Sequence, residues 1–168
     1  MILVASQRSG ARALADHLMN VHDNDHVELV DISGFMADDL HGALDEAHAI
    51  STATKCKQYL FSVSLNPPED CIVSEEGFRE AADRIASKLG LSDQPRAMVI
   101  HEKQGRRHAH VVWSRIDVEK MTAIHMSFYK TRLNAVSKEL FLEHGWRLPD
   151  GYRDKTKRNP LSYTIDQW

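Results

Sequence analysis

The sequence predicts an α+β domain in which helices pack over a mainly antiparallel central sheet of about five strands. Strand-like segments with alternating or β-branched residues are separated by amphipathic segments of helical spacing along most of the chain. Two strand-like segments, residues 97–101 and 108–116, are separated by the polar, glycine-containing residues 103–107, which predict a hairpin with an extended loop. Hairpin strands are antiparallel, and one face of such a sheet is left for a ligand.

The first part of the chain contains two strand-helix units. Residues 2–5 are apolar and predict a short strand, and residues 11–20 place leucines and a histidine on one helical face. Residues 26–32 alternate as a strand does until Gly34 interrupts the pattern. Residues 38–51 then resume helical spacing and begin with acidic residues, which suit the positive end of a helix dipole.

The middle of the chain predicts a third strand and a well-delimited helix. Residues 58–65 are rich in aromatic and β-branched residues, and the prolines within 66–68 end the strand because they lack a backbone donor. Ser74 is the predicted N-cap of the next helix, which runs to about Leu89 and stops at Gly90.

The last predicted helix lies within residues 127–144 and ends at Gly145. Beyond Pro149 the composition becomes polar. The sequence therefore predicts a catalytic domain over residues 1–149 and a polar C-terminal arm, or the start of a linker, over residues 150–168.

Length and composition limit the class of protein. The chain has 168 residues, 42% of them hydrophobic, which suffices for one core without disulfides. There is no apolar run of the ~20 residues that a membrane helix needs and no signal-peptide pattern, so we expect a cytoplasmic protein without membrane insertion. Cys56 and Cys71 form no metal or disulfide framework. The net charge of −3 argues against nonspecific coating of nucleic acid but allows a local basic groove.

Three histidines around the predicted hairpin suggest a metal site. His108 and His110 are two residues apart on one strand, so their side chains project from the same face. If residues 103–107 close a hairpin, His101 on the neighbouring strand reaches that face as well. Three neutral imidazoles can hold one divalent ion and leave coordination positions open for catalysis.

The residues around these histidines resemble a known family. Residues 101–110, HEKQGRRHAH, are similar to the HxDxxxxHxH motif of relaxases, the plasmid-mobilisation branch of the HUH endonucleases. Residues 59–68 resemble the family's strand that ends in serine and proline and touches DNA, and residues 144–146 resemble the end of its following helix. The resemblance covers most of the chain. It implies an HUH-type fold and an enzyme that nicks and rejoins one DNA strand.

The sequence departs from the family motif at its acidic position. The family has an acidic residue two positions after the first histidine, where this chain has Lys103. Either Glu102 takes that supporting role, Gln104 approaches the metal, or a carboxylate comes from elsewhere; the residues do not choose among these.

A second departure concerns the nucleophile. The family places a tyrosine on the first helix in a pattern like FxxLxxYL, whereas residues 11–18 read ARALADHL and put His17 at the tyrosine position. A neutral imidazole, with an ordinary pKa near 6.5, is nucleophilic without the deprotonation that a phenol requires. We therefore expect His17 to form a covalent 5′-phosphoryl adduct. The rival nucleophiles are Tyr59, Tyr129, Tyr152 and Tyr163.

The resemblance also implies cofactors and partners. We expect Mg²⁺ or Mn²⁺ at the histidines, with Zn²⁺ or Ni²⁺ accepted in vitro because imidazole binds those ions readily. The implied partners are single-stranded DNA at an origin of transfer, accessory relaxosome proteins and the coupling protein of a type IV secretion system. Trp113 or Phe128 could stack a base. The expected DNA-binding residues are Ser64, Lys103, Arg106, Arg107, Arg115, Lys130 and Arg132.

Two other functions remain compatible with the sequence. A rolling-circle replication initiator shares the histidine pair but places a catalytic tyrosine on a later helix, for which Tyr129 is the nearby candidate. A noncatalytic, metal-stabilised module that binds single-stranded DNA would explain the missing tyrosine on the first helix.

Overall fold

A computed structural model describes residues 1–152 of the chain. Its central sheet has five strands in the order β1-β3-β5-β4-β2, and every neighbouring pair is antiparallel. The predicted α+β class with a five-stranded antiparallel sheet is therefore confirmed. The strands are β1 (Ile2–Arg8), β2 (His26–Ser33), β3 (Leu60–Asn66), β4 (Arg96–Lys103), β5 (Arg106–Ser114), β6 (Ile116–Asp117) and β7 (Thr122–Ala123). The helices are α1 (Ala11–Leu18), α2 (Leu40–Ser51), α3 (Glu75–Leu89) and α4 (Tyr129–Glu143).

Helices cover both faces of the sheet and divide the core into two layers. Met98 and Ile100 of β4 pack in the same cluster as buried residues of α3 and α4. Ala97 and Val99, which alternate with them, pack against α1 and α2. We call these the α3/α4 face and the α1/α2 face of the sheet. Successive residues along a strand alternate between the two faces.

The helix boundaries follow the capping signals. Ser74 caps α3 with its hydroxyl, which accepts a hydrogen bond from the Gly77 amide at 3.0 Å, and Gly90 ends the helix at φ 74°. Asp39 caps α2 in the same way through the Gly42 amide at 2.7 Å. The predicted strand 108–116 is shorter, because β5 ends at Ser114 and Ile116 pairs with Ala123 in a separate two-stranded sheet.

The hairpin between β4 and β5 is tighter than predicted. Its loop is only Gln104 and Gly105, at φ 51° and 75°, and Lys103 pairs with Arg106 across it. Two successive residues in the left-handed region make the kind of turn that matches the twist of antiparallel strands. The expectation of an extended loop over residues 103–107 was wrong, because the polar residues on either side of the turn belong to the strands.

The predicted C-terminal arm begins with an ordered turn. Asp150–Tyr152 form a short 3-10 helix, and the Tyr152 hydroxyl lies 2.7 Å from the Ser137 hydroxyl of α4. Residues 153–168, which make up the rest of the predicted arm, lie outside the described residues.

Candidate active site

The three predicted histidine ligands lie on the same face of the sheet. His101 is directly opposite His108 in the β4–β5 register, and His110 is two residues further along β5. All three side chains therefore belong to the α1/α2 face. The rings of His101 and His110 have their centroids 4.6 Å apart. The hairpin register thus brings together the histidines that the sequence separates.

The surroundings favour the neutral form of two of these imidazoles, those of His108 and His110. Burial, with smaller contributions from the neighbouring His101, His108 and His17 in that order, lowers the pKa of His110 to about 3. Burial also lowers the pKa of His108, with contributions from Arg106 and His101. A neutral imidazole has a free lone pair, which is the form that binds a metal ion.

Hydrogen bonds fix the tautomers of two of the histidines. His101, only 7% exposed, has its Nε2 atom 2.5 Å from the carbonyl oxygen of Leu18, the last residue of α1. Because a carbonyl only accepts, Nε2 of His101 must donate, and the lone pair of this ring lies on Nδ1. A metal-binding histidine commonly donates its other ring N–H in this way, since the bond fixes the ring's orientation.

Asn66, at the end of β3, fixes the tautomer of His108 through a hydrogen bond. Its amide nitrogen donates to the Ile2 carbonyl at 3.3 Å and to the Ser64 hydroxyl at 3.1 Å. The amide oxygen therefore faces Nδ1 of His108 at 3.0 Å and accepts its hydrogen, which leaves the lone pair of His108 on Nε2. Sequence reasoning missed Asn66, although its position two residues after Ser64 on one strand face could have pointed to it.

The three histidine side chains are suitable ligands for a divalent cation, although their rings do not surround a common point in the structure. Among residues 1–152, no group of three or more histidine, cysteine or acidic side chains has the spacing of a metal site. The fit rests on the hydrogen bonds: His101 and His108 each donate one N–H to a protein acceptor and keep the other nitrogen free. Imidazole nitrogens of three histidines on one face are ligands that transition metals accept.

The candidates for the acidic supporting role are not beside the histidines. Glu102 alternates with His101 along β4, so its side chain belongs to the α3/α4 face. Gln104 occupies the exposed hairpin turn, where its backbone N–H donates to the Asp25 carboxylate at 2.6 Å. Lys103 is exposed on the same face as His101 and adds a positive charge there. The acceptor beside the histidines is instead the amide oxygen of Asn66.

His17 lies at the C-terminal end of α1, next to the residue whose carbonyl holds His101. It is exposed, and its side chain makes no hydrogen bond with another residue of the described part of the chain. Its charge is among the influences that lower the pKa of His110, so the two rings are close enough to interact. An accessible imidazole thus stands beside the three histidines.

The described tyrosines are placed differently. Tyr59 is 5% exposed, and its hydroxyl accepts the amide hydrogen of Ala11 at 3.1 Å, at the opposite end of α1 from His17. Tyr129 stacks edge-on against Phe61 in the core of the α3/α4 face. The hydroxyl of Tyr152 bonds to α4, and burial raises its pKa. Tyr163 lies outside the described residues.

Comparison with known proteins decides the family. A family model described as the relaxase nuclease domain, MobA/VirD2-like, matches residues 17–146, which is most of the chain. The chain belongs to the relaxase family. It is therefore a DNA-nicking nuclease of the mobilisation type that binds DNA at an origin of transfer, and relaxase domains generally depend on a divalent metal. A comparison with curated proteins gave no match.

Some of the DNA-binding residues predicted for this relaxase lie beside the histidines. Ser64 pairs with His110 across β3 and β5, and Arg106 precedes His108 on the same strand face. Arg106 is 41% exposed and only loosely paired with Glu69 at 3.5 Å. With Lys103, these residues place hydroxyl and cationic groups around the histidines on the α1/α2 face of the relaxase sheet.

Four other predicted DNA contacts are placed elsewhere in the relaxase fold. Arg107 alternates with His108 and donates to the Val73 carbonyl at 3.1 Å, on the α3/α4 face. Arg115 is 7% exposed and donates to Gln7 and to two carbonyls, so it stabilises the fold at the other end of the sheet. Lys130 and Arg132 lie on α4, across the sheet from the histidines.

The two candidate stacking residues also differ from expectation. Trp113 is fully buried in the α3/α4 core and is not accessible to a base. Phe128 is 83% exposed, but it precedes α4 on that same side of the sheet.

Within residues 1–152, the relaxase has no helix long and apolar enough to cross a membrane.

Proposed function

We propose that the relaxase nicks and rejoins a specific single strand of DNA at an origin of transfer by metal-dependent transesterification, with His17 as the nucleophile. The observation that carries the proposal is that three histidines share the α1/α2 face beneath the end of α1 that bears His17. The covalent 5′-phosphoryl adduct would then serve conjugative transfer, with accessory relaxosome proteins and a type IV coupling protein as partners.

The metal-binding part of the proposal assigns three ligands. His101 would bind through Nδ1 and His108 through Nε2, because their other ring nitrogens are engaged with Leu18 and Asn66. His110, kept neutral by burial, completes the set. We propose Mg²⁺ or Mn²⁺ as the working ion, with Zn²⁺ and Ni²⁺ binding in vitro. When bound, such an ion neutralises the charge that develops on the non-bridging phosphate oxygens.

The nicking step forms a bond between nitrogen and phosphorus. A ring nitrogen of His17 attacks the scissile phosphorus, and the bond from phosphorus to the 3′ oxygen breaks. The other ring nitrogen loses its proton, and the leaving 3′ oxygen takes up a proton to become a hydroxyl. The product is a phosphoramidate that keeps the 5′ phosphate on the protein. Attack by a 3′ hydroxyl on the same phosphorus reverses the step and rejoins the strand.

The placement of the tyrosines supports His17 over a phenol. Tyr59 is buried with its hydroxyl on the backbone of Ala11, and Tyr129 faces the opposite layer of the core. A rolling-circle initiator needs a tyrosine beside the histidines, and Tyr129 does not meet that need. His17, by contrast, is exposed and next to the residue that holds His101.

The adduct itself provides the test. The full chain is incubated with Mn²⁺ and a pool of single strands labelled at the 3′ end, and covalent complexes are separated under denaturing conditions. We expect a labelled protein band that is stable in alkali and lost in mild acid, and a peptide carrying phosphorylated His17 by mass spectrometry. His17→Ala should abolish the band, whereas His22→Ala, an exposed histidine in the next loop, should retain it.

The other outcomes identify the alternatives. An acid-stable band that maps to a tyrosine would contradict the histidine nucleophile. Strand binding without any covalent band would favour the noncatalytic, metal-stabilised module. A band that persists unchanged after chelation of divalent metal would refute the assigned role of the three histidines.

A further inference from the structure

A cavity opens directly beside the histidine site. It has a volume of about 590 Å³ and lies where β1 begins and β3 ends. His108, one of the proposed metal ligands, forms part of its wall, and so does its hydrogen-bond partner Asn66. Anything bound in the cavity would therefore be a neighbour of whatever the three histidines hold.

The cavity combines apolar walls with charged side chains. Its lining includes the apolar residues Pro67, Phe141 and Leu148, the cations Arg106 and Arg147, and the carboxylates Glu69 and Asp150. Arg106 pairs weakly with Glu69, but exposed Arg147 makes no hydrogen bond or ion pair with another described residue. An unpaired guanidinium at the edge of an apolar cavity suits a ligand with a hydrophobic body and acceptor atoms on its edge.

The volume is suited to a nucleotide. Small-molecule sites in proteins typically enclose about 300–1,000 Å³, with mostly apolar walls and a few placed polar groups. A base that leaves the stack loses contact with its neighbouring bases and can regain apolar contact inside such a site. The guanidinium of an arginine can donate two parallel hydrogen bonds to O6 and N7 of guanine, which is the commonest specific contact between this side chain and a base.

We propose that this cavity binds an unstacked guanine of the DNA strand, adjacent to the phosphate held at the histidines, with Arg147 as the residue that recognises it. The inference rests on the proposed function, because the histidines must hold the scissile phosphate for the cavity to receive a neighbouring nucleotide. The cavity would then select the nick position within the strand, whereas the histidines and His17 perform the chemistry.

Selection from a random pool tests the proposal, because it requires no assumption about the target sequence. The full chain is incubated with single strands of random sequence, and bound strands are sequenced. We expect the wild-type protein to enrich guanine at one position. Arg147→Ala should lose the preference at that position alone, by about 10-fold, since a good bidentate base contact discriminates by roughly 5- to 150-fold. Lys130→Ala, an exposed cation on the opposite face, should match the wild type.

A second measurement tests for direct contact. The selected guanine is replaced by an abasic site in an otherwise unchanged strand, and binding is measured for both proteins. The wild type should lose about 10-fold in affinity, and Arg147→Ala should lose nothing further, because the contact is already gone. Because Arg147 is exposed, the variant should fold normally, which thermal unfolding would verify.

The outcomes separate this inference from the function on which it rests. Strands that are bound and nicked by both proteins with the same guanine preference would overturn the cavity's role and leave the proposed function intact. An equal abasic penalty in both proteins would do the same. If the wild-type protein binds no single strand at all, the proposed function fails, and this inference fails with it.

Discussion

Single hydrogen bonds determine which nitrogen each histidine can offer. Nε2 of His101 donates to the Leu18 carbonyl, and Nδ1 of His108 donates to the Asn66 amide oxygen. These two bonds leave opposite ring nitrogens free on two histidines that face each other across a hairpin. The family's acidic position is Lys103 here, and the neutral side chain of Asn66 supplies the acceptor beside the site instead.

Removing the Asn66 acceptor should weaken metal binding. Asn66→Ala leaves Nδ1 of His108 without its partner, so both the tautomer and the ring orientation become free. Loss of such an outer partner typically costs about 10- to 100-fold in metal affinity. Titration with Mn²⁺ or Zn²⁺ measures the change. Asn66→Asp, which restores an acceptor, should bind metal more tightly than Asn66→Ala, and equal affinities for the two variants would refute this role.

The burial of His110 should make the metal-free protein sensitive to acid. The pKa of His110 is lowered to about 3 in the fold, so below pH 6.5 the unfolded chain takes up a proton that the folded chain does not. The free energy of unfolding should therefore fall as the pH drops from about 6.5 toward 3, by roughly 1 kcal/mol per pH unit. Chemical denaturation in the presence of a chelator measures this slope.

The matched substitutions isolate the contribution of this one group. His110→Gln should have a shallower dependence on pH in the same window, because the titrating ring is gone. His22→Gln removes an exposed histidine and should retain the wild-type slope. A His110→Gln variant as sensitive to acid as the wild type would show that other groups dominate.

At the scale of elements, the tight hairpin between β4 and β5 positions the histidines. The turn consists of Gln104 and Gly105, both with positive φ, and it sets His101 opposite His108. With the extended loop that the sequence suggested, this pairing would not be fixed. The same register assigns Arg106 to the α1/α2 face and Arg107 to the opposite face, where it bonds to Val73.

Replacing the turn glycine should destabilise this element. Gly105 has φ 75° and no atom within 4 Å of an added Cβ, so the cost of Gly105→Ala is backbone strain and not a clash. We expect a loss of about 1 kcal/mol, or roughly 2–4 °C in Tm. Gly105→Asn should be milder, since asparagine tolerates this backbone region. Calorimetry of the two variants checks the order, and a less stable Asn variant would contradict it.

At the scale of the whole molecule, the sheet separates the reactive layer from the supporting layer. The α1/α2 face carries the histidines, Ser64, Arg106 and the adjacent His17. The α3/α4 face carries the larger core, including the buried Trp113. Basic residues occur on both sides, so the net charge of −3 does not indicate where a strand binds. A DNA strand bound at the histidines passes the cations of the α1/α2 face, so these cations are the ones placed to neutralise its phosphates.

The salt dependence of strand binding should distinguish the two faces. Each phosphate neutralised on a single strand contributes about 0.7 to the slope of log affinity against log salt concentration. Arg106→Ala should therefore make that slope shallower by about 0.7, because Arg106 lies next to His108. Lys130→Ala and Arg132→Ala, across the sheet, should leave it unchanged. Fluorescence anisotropy at several salt concentrations checks this, and the reverse pattern would exclude the α1/α2 face as the binding surface.

The sequence by itself determined the fold class and most of the elements. Hydrophobic periodicity and capping residues such as Ser74 and Gly90 act over a few neighbouring residues, so α3 could be delimited without tertiary information. The spacing of His108 and His110 likewise fixes a shared strand face. The predicted hairpin placed His101 beside that pair, and the family pattern on the first helix indicated His17; in the structure both lie near the pair.

Only the tertiary structure decided which other side chains join the site. Whether Asn66 faces His108, or Arg115 turns inward to bond with Gln58, depends on the pairing of strands that are distant in the chain. The face on which α4 packs likewise separates Lys130 from the histidines. These placements follow from register and from the burial of polar groups against distant partners, which no local pattern encodes.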